Sequence, residues 1–170
     1  LTSAMRLDSS PDMAAARLAA SLLISPKQRI NISTVRIPCH SELRSAQFSP
    51  DGSWILTACG HIAQVWDVVS GKPLSLQMQH ENVVNLAKFS SDGRWVITAS
   101  WDQTARVWEA ATGLPVSQPI NHKSTVSTAQ FSPNGHLVIT ASTDKTIQIW
   151  ETVSGSPILQ PMEHENTIQS

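Results

Sequence analysis

Residues 40–163 are three versions of one block. The blocks are 40–79, 80–121 and 122–163, and a fourth opens at 164–170 with HENTIQS. The second and third agree at 19 of 42 positions. All three phenylalanines fall in one column (Phe48, Phe89, Phe131). Trp66, Trp108 and Trp150 fill a second column, and His40, His80, His122 and His164 open the blocks. A fixed period of this size demands an architecture in which each unit buries its apolar face against its neighbour.

Each block reads as four short strands, a to d. In the second they are VVNLAKFS, RWVITAS, TARVWEA and LPVSQPI, separated by SDG, WDQ and ATG. Gly52, Gly93 and Gly135 in the first turn, and Gly71, Gly113 and Gly155 in the third, supply the positive φ that short turns require. Prolines 73, 115, 119, 157 and 161 all lie in strand d. Proline cannot donate to a ladder, so strand d belongs at the sheet edge.

Residues 1–28 differ. Ser10-Pro11-Asp12 is a helix start, and the run after it is rich in strong helix formers until Ser25-Pro26. This stretch is expected to be a helical segment or linker. The repeat region is then 29–170, with RINISTVRIP in the slot that strand d occupies before the other histidines. The chain begins at Leu1 and stops inside a repeat, so a fragment of a longer protein is expected.

Composition narrows the function classes. The formal charge is −1 over 170 residues, without the basic excess of a nucleic-acid surface. No apolar run reaches the roughly 20 residues that span a bilayer. Cys39 and Cys59 sit in no Cys-x-x-Cys pair, so buried free thiols, no zinc and a reducing, cytoplasmic setting are expected.

Four-stranded units of about 40–45 residues with a periodic Trp-Asp pair resemble the WD-repeat β-propeller family. The resemblance runs from about residue 29 to 170. Trp66-Asp67 keeps the literal pair; Trp108-Glu109 and Trp150-Glu151 replace Asp with Glu. It implies an all-β fold of antiparallel four-stranded blades, about three of them here. It also implies a structural hydrogen-bond network in each blade: His80, Thr98, Asp102 and Trp108 in the second, His122, Thr140, Asp144 and Trp150 in the third. The first offers His40, Thr57 and Trp66, but Gly60 replaces the aspartate in a turn one residue short. That network is expected to be incomplete or rewired, with His61 turned in.

A threonine, histidine and aspartate together invite comparison with a hydrolase triad. Here the hydroxyl serves a buried indole and the set recurs in each intact block, so no catalytic residue is assigned. The histidines lie one per blade and do not converge on an ion, so neither a metal nor another cofactor is expected. Trp54 and Trp95 open strand b and are expected to pack between blades.

Trp101 has no aromatic counterpart; Thr143 takes its place in the third block. The resemblance implies that this turn faces the propeller's top surface, where partners bind. Flanking the inward residue of strand a on that surface are Glu42 and Arg44, Val83 and Asn85, Thr125 and Ser127. With Trp101 and Thr143 these form the candidate partner-binding set, Trp101 either as anchor or as a shield for the adjacent blade. The leading expectation is a non-catalytic protein-interaction scaffold with a protein partner. Further blades of the parent chain, or self-association, would cover the open blade faces. Two alternatives stand beside it: the sensory or targeting arm of a larger enzyme such as a bacterial kinase or peptidase, and a purely structural assembly module.

Overall fold

The computed structural model describes residues 37–165. The expected N-terminal helix, all but the end of the 29–38 strand, and the last residues of the fourth block lie outside them. The described residues are all-β, in three four-stranded antiparallel sheets. The first is β1 (Leu43–Phe48), β2 (Trp54–Cys59), β3 (Ile62–Asp67) and β4 (Met78–Gln79). The second is β5 (Val84–Phe89), β6 (Trp95–Ser100), β7 (Thr104–Glu109) and β8 (Ile120–Asn121). The third is β9 (Val126–Phe131), β10 (Leu137–Ser142), β11 (Thr146–Glu151) and β12 (Met162–Glu163). Strands pair in sequence order, so the fourth is outermost, as its prolines require.

That fourth strand is shorter than its sequence pattern. It touches strand c at one bridge (Trp66↔Pro73, Trp108↔Pro115, Trp150↔Pro157) and again at its last two residues. Just past the bridge it still bonds to strand c (Leu74 N–H to Val65 O, 2.9 Å), and in the first blade it then turns to the next blade. The Leu76 N–H donates across to the Thr112 carbonyl of the next blade (2.9 Å). Gly113 admits this approach: a Cβ there would lie 2.5 Å from the Leu76 oxygen, and its φ is +75°.

Alternation along each strand places the core between blades. Leu56, Ala58, Ala63, Val65 and Met78 of the first sheet meet Val84, Ala87, Phe89, Val96 and Trp108 of the second. The other face of the second sheet (Ile97, Ala99, Ala105, Val107, Ile120) meets Val126, Ala129, Phe131, Val138 and Trp150 of the third. Trp54 and Trp95 pack at the rims of these two cores. The first strands stand side by side, joined by Ser45 Oγ donating to Ala87 O (3.2 Å) and by Phe89 N–H donating to Gln47 Oε1 (3.1 Å).

The leading face of the third sheet has no such cover among the described residues. Ile139 is 43 % exposed, whereas its counterparts Leu56 and Ile97 are fully buried. Met162 is likewise 43 % exposed against 0 % for Met78.

The cysteines correct an expectation. Cys39 and Cys59 form a disulfide, with 5.8 Å between their Cα atoms, and are not free thiols. Strand pairing brings them together: Cys59 ends β2 opposite Leu43, four residues after Cys39. Twenty residues of separation hide this proximity from any motif. With both cysteines in a disulfide, they give no indication of a reducing compartment.

Candidate functional site: the loop end of the blades

The turns between strands b and c, and the loops leading into strand a, gather at one end of the blades. In the second blade a hydrogen-bonded chain runs beneath them. The Trp108 indole N–H donates to Thr98 Oγ1 (2.8 Å), His80 Nε2 lies 2.7 Å from that oxygen, and His80 Nδ1 lies 2.7 Å from Asp102 Oδ2. Asp102 also accepts the Glu81 N–H (3.1 Å), the Thr104 N–H (2.9 Å) and the Thr104 hydroxyl (2.7 Å). The third blade repeats the pattern. Trp150 donates to Thr140 (2.9 Å), His122 Nε2 lies 2.8 Å from Thr140 Oγ1, and His122 Nδ1 lies 3.4 Å from Asp144. The histidine and aspartate side chains are almost wholly buried, so each polar atom needs these partners.

Burial pulls the His80 and His122 pKa values below the ordinary histidine value, against the attraction of Asp102 and Asp144. A neutral imidazole suits the chain: Nδ1–H donates to the carboxylate and Nε2 accepts the threonine hydroxyl. For Asp102, burial opposes ionisation, yet the Thr104 hydrogen bond and the His80 interaction hold its carboxyl below the usual range. Asp144 goes the same way, to about 2, through hydrogen bonds from Thr146 and the Lys123 N–H.

All four groups bind fewer protons folded than unfolded. Stability is therefore complete above about 6.5, the ordinary histidine value, and is lost as pH falls toward the lowered histidine values. A second loss follows below about 3.8 as the aspartates protonate. Melting temperatures measured from neutral pH downward should fall over both ranges, and His80→Gln should flatten the first. A wild-type profile flat down to the carboxylate range would contradict this.

The first blade keeps only the inner part of the chain. Trp66 donates to Thr57 (2.8 Å), while His40 and His61 are both exposed. His61 does not turn in because its turn is a two-residue hairpin, Gly60-His61, closed by the pair Cys59↔Ile62. Gly60 has φ +58° at the first turn position, which favours glycine there. The three-residue turns of the other blades instead end on Gln103 and Lys145 at φ 72°.

Sequence reasoning missed Thr104 and Thr146, whose hydroxyls hold the aspartates. It also missed Ser100 and Ser142, whose Oγ atoms accept the Asp102 and Asp144 N–H (both 3.1 Å). Both pairs stand in single columns of the repeat, which was the available signal.

Each strand a carries a bulge at the same place, at Arg44, Asn85 and Ser127. A bulge re-aims its side chain. Asn85 donates to Ser127 O (3.0 Å), and Ser127, buried, donates to Ala141 O (3.1 Å). Arg44 reaches the second blade, its guanidinium carbon 5.2 Å from the Trp101 ring centre, and pairs with Glu42 (2.8 Å). The Trp101 residue is 42 % exposed, and its backbone N–H donates to Val83 O (2.9 Å). Val83, Thr125 and Thr143 are half-buried, and Thr143 donates to Ser124 Oγ (2.8 Å). The candidate set thus divides into an exposed cluster of Glu42, Arg44 and Trp101 and a polar floor.

At the opposite end, a cleft of about 570 Å³ between the second and third blades holds Arg94 stacked on Trp95 (4.4 Å). Among the described residues there is no group of three or more potential metal ligands, and no helix long and apolar enough to cross a membrane.

Comparison with known proteins agrees with this architecture. The computationally designed Ika4 protein superposes with TM-score 0.69 at 22 % identity, covering 78 % of this chain and 79 % of that one. The computationally designed Ika8 protein gives TM-score 0.67 at 22 % identity, covering 76 % of this chain but only 39 % of the other. These likenesses concern the fold alone. No curated protein matches the sequence. The family described as WD domain, G-beta repeat matches at 31–67, 71–109 and 113–151, well over half of the chain. The matches at 71–109 and 113–151 start in the outer-strand region of one blade and end on the strand c Trp-Glu pair of the next, and the match at 31–67 ends on Trp66-Asp67. The chain belongs to the WD-repeat family.

Proposed function

We propose that this domain is a non-catalytic protein-interaction scaffold and that its partner docks on the loop end of the blades, around Trp101. WD repeats in general suggest such a scaffold. The observation that supports this surface is Trp101 itself: a large aromatic left 42 % exposed where the repeat requires none. Arg44, paired with Glu42, stacks on its ring from the first blade. A half-exposed tryptophan stacked on an arginine has the composition of an interface hot spot. The contact with Arg44 also gives Trp101 a bridging role between blades, so anchor and shield are two aspects of one placement.

Trp101→Ala loses the Arg44 contact and part of a half-buried ring but opens no enclosed cavity, and should cost about 1–2 kcal/mol of stability, well short of unfolding the domain. It should weaken partner capture at least about tenfold, the effect of losing a hot-spot residue. Val69→Ala, at the opposite end and 88 % exposed, is the control. Affinity capture with the three proteins, quantified by mass spectrometry, tests the reading; equal recovery by wild type and Trp101→Ala would overturn it.

The open third sheet supports a second part of the proposal: a further blade covers Ile139 and Met162 in the parent protein. The chain leaves the third blade as it leaves the others. His164 N–H donates to Lys145 O (2.8 Å), as His122 does to Gln103 O (2.9 Å) and His80 to His61 O (3.0 Å).

A further inference from the structure

We propose that the Cys39–Cys59 disulfide is a redox latch that holds the first blade's share of the binding patch, Glu42 and Arg44, in place. One corner recurs in all three blades. In the second and third, two kinds of tether span the corner between the loop into strand a and the end of strand b. One is the histidine–aspartate pair. The other is the serine that ends strand b: Ser100 donates to Asn82 O (3.1 Å) and Ser142 to Ser124 O (3.1 Å). In the first blade both are replaced. The two-residue turn has no position for the aspartate, since Gly60 N–H bonds to Glu42 O as Trp101 does to Val83 O and Thr143 to Thr125 O, and Cys59 stands in place of the serine. The disulfide crosses the same corner, joining Cys59 to the residue before His40.

What remains beside it is slight. Gly60 N–H donates to Glu42 O at 3.2 Å, and Leu43 pairs with Cys59 at the end of the ladder. The tethered segment runs directly into Arg44, the bulged residue that carries the ion pair to Glu42 and the stacking contact with Trp101. Both cysteines are half-buried, within reach of a small reductant.

A dithiol reductant attacks one sulfur as its thiolate and forms a mixed disulfide. Its second thiol then displaces the remaining protein sulfur. The reductant leaves as its own disulfide, and its two electrons and two protons appear as the Cys39 and Cys59 thiols. With the bond cut, the segment from Cys39 to Arg44 frays, Arg44 leaves Trp101, and the patch loses one side.

This inference rests on the reading of the patch as the binding surface, but its test needs no partner. Amide hydrogen exchange is compared between the oxidised protein and the same protein treated with dithiothreitol. Peptides covering residues 41–46 should exchange at least about tenfold faster after reduction, because local opening sets their protection. Residues 125–127 should stay unchanged. The Cys39→Ser/Cys59→Ser variant should match reduced wild type without reductant. Equal protection in both redox states would overturn the latch, as would a bond that dithiothreitol leaves intact in the folded protein. Loss of protection in all three blades together would also overturn it, because the bond would then support the whole fold. If residues 41–46 respond as expected while Trp101→Ala leaves partner capture intact, the latch stands and the binding reading fails.

Discussion

Trp108→Ala is expected to destabilise the domain by about 3–5 kcal/mol, the usual cost of emptying a large aromatic site in a core. The side chain is 5 % exposed and lies in the core shared by the first two blades. Its loss opens a cavity against Val84, Phe89 and Val96 and removes the edge contact with the His80 ring (centroids 6.1 Å apart). It also leaves Thr98 Oγ1 without the indole donor. Urea unfolding of the two proteins measures the difference. A loss under about 1 kcal/mol would mean that the blade interface closes over the gap, contrary to the packing described.

Asp102→Ala is expected to cost about 1–3 kcal/mol, the penalty for stranding buried hydrogen-bonding groups. The carboxylate is the acceptor for His80 Nδ1–H, Glu81 N–H and both Thr104 donors. Water reaches some of these groups once the side chain is gone, which limits the loss; the His80 side chain is fully buried and pays most. Asp102→Asn keeps one acceptor oxygen and should fall between the two. Thermal unfolding of the three proteins orders them, and an alanine variant as stable as wild type would remove the network from the account of what rigidifies this corner.

The part of the fold legible in the sequence is the part the repeat encodes. Strand order, inter-blade packing and the edge position of the prolines follow from alternation and from proline chemistry. Features that break the repeat were harder to read. Strand d looked continuous in sequence because its apolar residues alternate. In the first blade one of its hydrogen bonds, from Leu76 to Thr112, goes to the next blade's turn, which no local pattern contains. The disulfide depends on a register that places the end of β2 beside the loop into β1. His61 looked available as a substitute for the missing aspartate until the two-residue turn fixed its direction. Trp101 stood out because the repeat did not require it, but its contact with Arg44 follows from a bulge visible only in three dimensions.

In the proposed reading the loop end divides into framework and contact surface, and Trp101 is where the division is sharpest. Site-specific photo-crosslinking tests it most directly. A photoreactive amino acid is placed at position 101 in one protein and at position 69 in another, each expressed in its native cells. Adducts with a second protein from position 101, and none from 69, are the predicted result. Adducts from 69 with none from 101 would contradict it and would move the binding surface to the opposite end of the blades.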